Sequence, residues 1–145
     1  MTAARSREEL YRGIMASRSD PSGFYALLGM VLEELGEGRS RFSMRSGPRI
    51  HNAGGVTHGG ALASLADASI AAALATLIDP DNEAIATIEI KVNFTAPLRE
   101  GEVVAEGVII QKGRTVAVGE SEVRDGEGKL LAKAMATYAI RPRGG

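Results

Sequence analysis

The stretch that most limits what this chain can fold into runs from Gly59 to Ile78, which is apolar, rich in alanine and offers a helix no face suited to water. With Gly60 set at zero and an advance of about 100° per residue, Leu62, Leu65, Ser69, Ala73 and Leu77 gather on one face, with Ile70 at its border. The opposite side collects Gly60, Ala63, Ser64, Asp67, Ala71 and Leu74, where a solvated helix would carry lysine and glutamate. A helix without a polar face is buried on both sides. The first face therefore wants a sheet, and the small residues of the second admit another backbone or a ligand. Between Arg49 and Asp79 the ionisable side chains are His51, His58 and Asp67. Asp67 is thus a solitary carboxylate held at a contact surface.

The helix is entered through a glycine-rich loop, Asn52 to Gly60. The first turn of any helix leaves backbone N–H groups without partners. Gly59 and Gly60 let a ligand reach those donors with no β-carbon in the way, and the helix dipole adds partial positive charge. A phosphate, a carboxylate or a developing oxyanion suits such a turn.

The rest of the chain reads as scaffold. Residues 5–18 predict a loose helix or arm that ends at Asp20-Pro21 and carries no chemical signal, followed by an apolar patch from Phe24 to Leu28. Met30 to Leu35 and Ser40 to Arg45 read as strands, the second half-buried with Phe42 and Met44 on one side. The central helix is expected over 58–78, ended by Asp79-Pro80-Asp81-Asn82. Beyond it the period becomes twofold: Ile88, Ile90, Val92 and Phe94 alternate with Thr87, Glu89, Lys91 and Asn93 in a strand that stops before Pro97. Further strands are expected over 102–111, 115–123 and 130–140, joined by Lys112-Gly113-Arg114 and by the hairpin signal at 125–128. On the last strand Ala132, Ala134, Ala136 and Tyr138 share a face, and the alanines leave room for a helix lying across it. The sum is an α+β fold, an antiparallel sheet of five or six strands wrapped on one long helix. A length of 145 residues fits a single domain over 1–145, with about 1–20 as an N-terminal arm or helix.

Composition narrows the function. A net charge of −1 from interspersed charges gives no sign of a nucleic-acid partner or a polybasic membrane surface. The absence of cysteine excludes a thiol nucleophile and a disulfide framework. The N-terminus lacks the apolar core of a signal peptide, and Asp67 interrupts the apolar segment 61–78, so a soluble cytoplasmic protein is expected. His51, which has no assigned role and is expected in solvent, does not form zinc spacing with His58, Asp67 and Asn52, and no metal is expected.

Taken together, Asn52, Gly55, His58-Gly59-Gly60, Leu65 and Asp67, then the strand Thr87 to Phe94 running on to Pro97, Gly101 and the turn Lys112-Gly113-Arg114-Thr115, resemble the hotdog-fold acyl-CoA thioesterases, most nearly the phenylacetate-degradation (PaaI) branch. The likeness runs from about Gly29 to Ile140. It implies a sheet curled around the helix and a homodimer as the minimal active unit, with a continuous sheet and two sites at the seam. It also implies a homotetramer built as a dimer of dimers. Carried over by position, Asp67 activates water or attacks the thioester carbonyl, and the Gly59 amide is the oxyanion donor. Asn52 and Thr87 orient the lytic water, and His58 braces the loop or the carbonyl. Gly60, Val92, Asn93 and Phe94 would line the substrate. Lys112, Gly113, Arg114 and Thr115 would hold the CoA portion, which is substrate; no separate cofactor is implied.

The chemistry agrees with the resemblance. Thioester hydrolysis needs a nucleophile and donors for the oxyanion, and without cysteine an aspartate working with water can serve. A non-catalytic acyl-CoA sensor or carrier on the same fold is the alternative, but a binder has no need of a carboxylate beside its thioester. A hydratase or dehydratase of acyl thioesters is a third class, usually with a different acid/base arrangement.

Overall fold

The computed structural model describes residues 3–144. Helix α1 (Arg7–Ser17) and the one-and-a-half-turn α2 (Phe24–Leu28) precede strands β1 (Val31–Gly36) and β2 (Arg39–Ser46). A short 3₁₀ turn at Pro48–Ile50 and the glycine-rich loop lead into α3 (Gly59–Ala75). Strands β3 (Glu83–Phe94), β4 (Gly101–Lys112), β5 (Val116–Asp125) and β6 (Leu130–Pro142) complete the chain. The six strands form one antiparallel sheet in the order β1-β2-β4-β5-β6-β3. All six touch α3, so the sheet curls around that helix as expected.

The sheet admits the helix because its crossing points are small. A β-carbon added at Gly107 would lie 2.3 Å from the Ser69 carbonyl oxygen, and one at Gly119 would lie 2.5 Å from the Ile70 side chain. Ala132, Ala134, Ala136 and Tyr138 are all buried on the helix-facing side of β6. Ser69 hydrogen-bonds Ser121 at 2.8 Å, and its carbonyl accepts from the Ser40 hydroxyl, so the polar atoms at the crossing are satisfied.

Four expectations need correction. The N-terminal segment takes the helical form of the two expected, but it is not loose: Ser6 and Glu9 form a reciprocal capping box, and α1 sets Ile14 into the core beside Leu10, Tyr11 and Met15. The helix α3 ends near Thr76 and not at 78; the Thr76 hydroxyl donates to the Ala73 carbonyl and accepts from the Gly38 N–H, tying the end to the β1–β2 turn. Leu74, placed by the helical wheel on the open face, is fully buried among Ile70, Ala136, Tyr138 and Ile140, because the curled sheet reaches around the C-terminal half of the helix. Finally, Ile88 does not share a face with Ile90 and Val92. Thr87 pairs with Tyr138 and Glu89 with Thr137, so Ile88 is the extra residue of a β-bulge and stands in solvent. Phe94, at the strand end, is also more than half exposed.

Candidate active site

The loop before α3 is a self-supporting hairpin. The Asn52 N–H donates to the Val56 carbonyl at 2.8 Å, and Gly55 turns the chain with φ 78°. The Asn52 Oδ1 accepts from the Gly54 N–H at 2.9 Å and the Val56 N–H at 3.3 Å. Asn52 therefore serves its own loop in the manner of an Asx turn, and its side-chain NH₂ is the group left to meet a ligand. The loop is fastened to the segment before β4. Thr57 donates from both its N–H and its hydroxyl to the Leu98 carbonyl, Ser46 bonds the Thr57 hydroxyl, and His51 Nε2 bonds the Arg99 carbonyl. His51 is thus half-buried in this fastening, contrary to the expectation of a side chain in solvent.

His58 caps the helix. Its Nδ1 accepts from the Gly60 N–H at 2.8 Å, so the neutral ring carries its proton on Nε2. Its carbonyl takes the N–H groups of Ala61 and Leu62. Thr57 and His58 also have their N–H groups bonded, to Leu98 and Ile50. Among the described residues, the Gly59 N–H is left as the donor of this turn without an acceptor. Asn52, Gly59, Leu62 and Phe94 line one cleft of about 430 Å³, and the Phe94 ring lies where a Gly59 β-carbon would come within 3.1 Å of it.

Asp67 does not line that cleft. Eight residues further along α3 it sits half-buried on the small-residue face, with Ala63, Ser64 and Ala71 around it. The Thr87 hydroxyl donates to Asp67 Oδ1 at 2.9 Å. The Tyr138 hydroxyl reaches the same Oδ1 and also the Asp67 main-chain carbonyl, at 2.9 Å. Tyr138 is a functional candidate that sequence alone places only among the helix-facing residues of the last strand. A signal was present, since a tyrosine ending a row of buried alanines must find a partner for its hydroxyl.

Of the positions marked from sequence, the chain brings together Asn52, His58, Gly59, Gly60 and Phe94 at one end of α3, and Asp67 with Thr87 two turns on. Val92 is half-buried against the core, while Asn93 is exposed on β3. Lys112, Gly113, Arg114 and Thr115 form the exposed β4–β5 turn, closed by the Gly113 N–H on the Val116 carbonyl. Their hydrogen bonds link them to neither group of side chains. Among the described residues, no cluster of histidine, aspartate and glutamate suited to a metal ion occurs, and no helix is long and apolar enough to cross a membrane.

The thioesterase superfamily model matches residues 54–132, a span that holds the loop from Gly54 onward, all of α3, and strands β3 to β5. The chain belongs to the thioesterase superfamily. It is 35% identical over 116 residues to "Putative esterase SSO2140" of Saccharolobus solfataricus, an alignment covering 80% of this chain and 81% of that protein. Among solved structures it is similar to the conserved protein PA5202 from Pseudomonas aeruginosa, at 33% identity with a TM-score of 0.80 over 90% of this chain and 98% of the other. It is similar also to a mutant of thioesterase PA1618 from the same organism, at 28% identity with a TM-score of 0.82 over 97% and 96%. The six-stranded sheet and long helix are the hotdog architecture of these thioesterases. Membership of the superfamily supports hydrolysis of a thioester as the class of reaction.

Proposed function

We propose that the chain hydrolyses acyl-CoA thioesters to the free acid and CoA, at sites each shared by two copies. The observation that carries this reading is the pairing of a lone carboxylate, Asp67, on an open small-residue helix face with an unpartnered Gly59 N–H at the start of the same helix. The donor holds the oxygen of the thioester carbonyl as it becomes an oxyanion. The carboxylate takes the proton of an attacking water, or attacks the carbonyl carbon itself. The tetrahedral adduct then expels the CoA thiolate, which is reprotonated; where the carboxylate has attacked, the resulting acyl-aspartyl anhydride is hydrolysed by water to free the acid and restore Asp67. A panel of short, long and aromatic acyl-CoAs monitored for free thiol tests the activity directly, and no release from any of them would refute it.

One chain cannot supply both groups to one thioester. Eight residues of helix separate Gly59 from Asp67 by roughly 12 Å along the axis, whereas both must lie within about 3 Å of a single carbonyl. A second copy with its α3 antiparallel brings its Asp67 to the first copy's Gly59, and twofold symmetry makes two such sites. The structure favours β3 as the seam: it is a sheet edge, twelve residues long, with Ile88 and Phe94 exposed, and so long an open edge calls for a partner. Mixing an Asp67→Ala chain with a chain carrying Asn52→Ala and Gly59→Leu should give heterodimers that regain one working site. Folded heterodimers that stay inactive would refute the shared site. A dimer of such dimers is the assembly we propose for the full protein.

Lys112 and Arg114, exposed on the β4–β5 turn, are proposed to hold the CoA phosphates. Alanine at both should raise KM for acyl-CoA with little change in kcat, and the parent's affinity should fall as salt rises. An equal KM penalty with an acyl-pantetheine lacking the nucleotide would show that the two residues do not read phosphate.

A further inference from the structure

The hydrogen bonds at Asp67 are one-sided. Thr87 and Tyr138 both direct their hydroxyls to Oδ1, and no described residue donates to Oδ2. The two donors are register partners across β3 and β6, so they reach the helix side by side from one rung of the sheet. Their delivery depends on the bulge at Ile88. In an unbroken alternation, Thr87 would face away from the helix when Ile90 and Val92 face the core; the extra residue lets all three point inward.

Tyr138 is built to remain a donor. Its side chain is 1% exposed, packed with Ile70, Leu74 and Ile140. Burial first, and then the Asp67 carboxylate to which it donates, push the hydroxyl well above the usual phenol range, so it stays protonated at any working pH. Its second acceptor, the Asp67 main-chain carbonyl, belongs to the backbone of α3 and fixes the hydroxyl against the helix at that residue.

Resting on the thioesterase reading above, we propose that Tyr138 is a positioning residue that, together with Thr87, pins Asp67 by Oδ1 and so assigns Oδ2 as the oxygen that meets the water or the thioester carbonyl. An ionised carboxylate has two equivalent oxygens and turns freely about its last torsion unless something holds it. Two donors on one oxygen select a single orientation of the group before substrate arrives. They leave the other oxygen with its lone pairs open on the small-residue face. Tyr138 touches neither substrate nor the reacting atoms in this arrangement; it acts through Asp67.

The test uses Tyr138→Phe, Thr87→Val and the double variant, each in the parent and in an Asp67→Asn background, as folded oligomers of the full chain. With an acyl-CoA that the parent turns over, Tyr138→Phe should lower kcat about ten- to a hundredfold, the scale of a misplaced catalytic group, with KM within about twofold. The losses from Tyr138→Phe and Thr87→Val should not multiply, because both act on one oxygen. In the Asp67→Asn background neither change should lower turnover further. In the free protein, the Asp67 carboxyl ¹³C resonance, assigned with Asp67→Asn, should move on either substitution. Parent-like kcat in Tyr138→Phe, losses that multiply, an equal fall in the Asp67→Asn background, or an unmoved carboxyl resonance would each overturn the assignment. Should Tyr138→Phe fail to fold, Thr87→Val carries the resonance and background arms alone, and a null result there overturns the pinning of Oδ1. A parent that releases no thiol from any acyl-CoA refutes the proposed function instead, and the carboxyl resonance still decides whether Tyr138 holds Asp67.

Discussion

Asp67→Asn is expected to lower kcat by about a hundred- to ten-thousandfold, the range for removal of a positioned acid or base, while the protein keeps its fold and oligomeric state. The asparagine carbonyl is nearly the same shape as the carboxylate and still accepts from Thr87 and Tyr138, which donate to Oδ1. Little packing changes, so a loss of turnover reports chemistry. Asp67→Ala should lose as much activity. Its local damage is limited because the Tyr138 hydroxyl retains the main-chain carbonyl of residue 67 as acceptor. The check is kcat at saturating acyl-CoA beside a thermal unfolding curve. Near-parent kcat in either variant would remove Asp67 from the mechanism.

The largest expected effect on stability is at Gly107. An alanine there would place its β-carbon 2.3 Å from the Ser69 oxygen, 2.4 Å from the Ser69 carbonyl carbon and 2.7 Å from the Ile70 nitrogen. All three are backbone atoms in the middle of α3, so no rotamer change relieves the overlap and the helix must lift from the sheet. Overpacking of a core costs about 1–3 kcal/mol and occasionally more; backbone against backbone belongs at the upper end, and a fall in Tm on the order of 10 °C follows. Gly13→Ala supplies the contrast. It lies within α1, a β-carbon there meets nothing within 4 Å, and removal of a helical glycine should stabilise by about 0.5–1 kcal/mol. A Gly107→Ala protein that melts with the parent would mean that α3 does not press on β4 as described.

Much of this architecture is legible in the sequence alone, for identifiable reasons. The helix was legible because its composition leaves no solvated face, and β6 was legible because Ala132, Ala134 and Ala136 alternate beside a tyrosine. The carboxylate was legible because nothing charged surrounds it in sequence. What could not be read depends on contacts distant along the chain. Leu74 looks open on a helical wheel, since the wheel does not know how far the sheet will curl. The capping of Asn52 on its own loop and the fastening of His51 to Arg99 depend on loop geometry that residue types leave open. The bulge at Ile88 is invisible to periodicity, because Thr87 to Phe94 alternates without a flaw in sequence and the irregularity appears only in the pairing with β6.

That bulge makes β3 tolerant, at this one point, of a shorter chain as well as of substitution. Ile88 is largely solvent-exposed, and many side chains would be tolerated there in a single chain. Removing the residue altogether would also be tolerated, because it has no partner on β6. The strand would close into regular pairing, with Thr87 still opposite Tyr138 and Glu89 still opposite Thr137. Ile90 and Val92 would stay in the core, and Thr87 would keep its hydroxyl on Asp67. A chain one residue shorter at this point can therefore deliver the same hydroxyl to the helix.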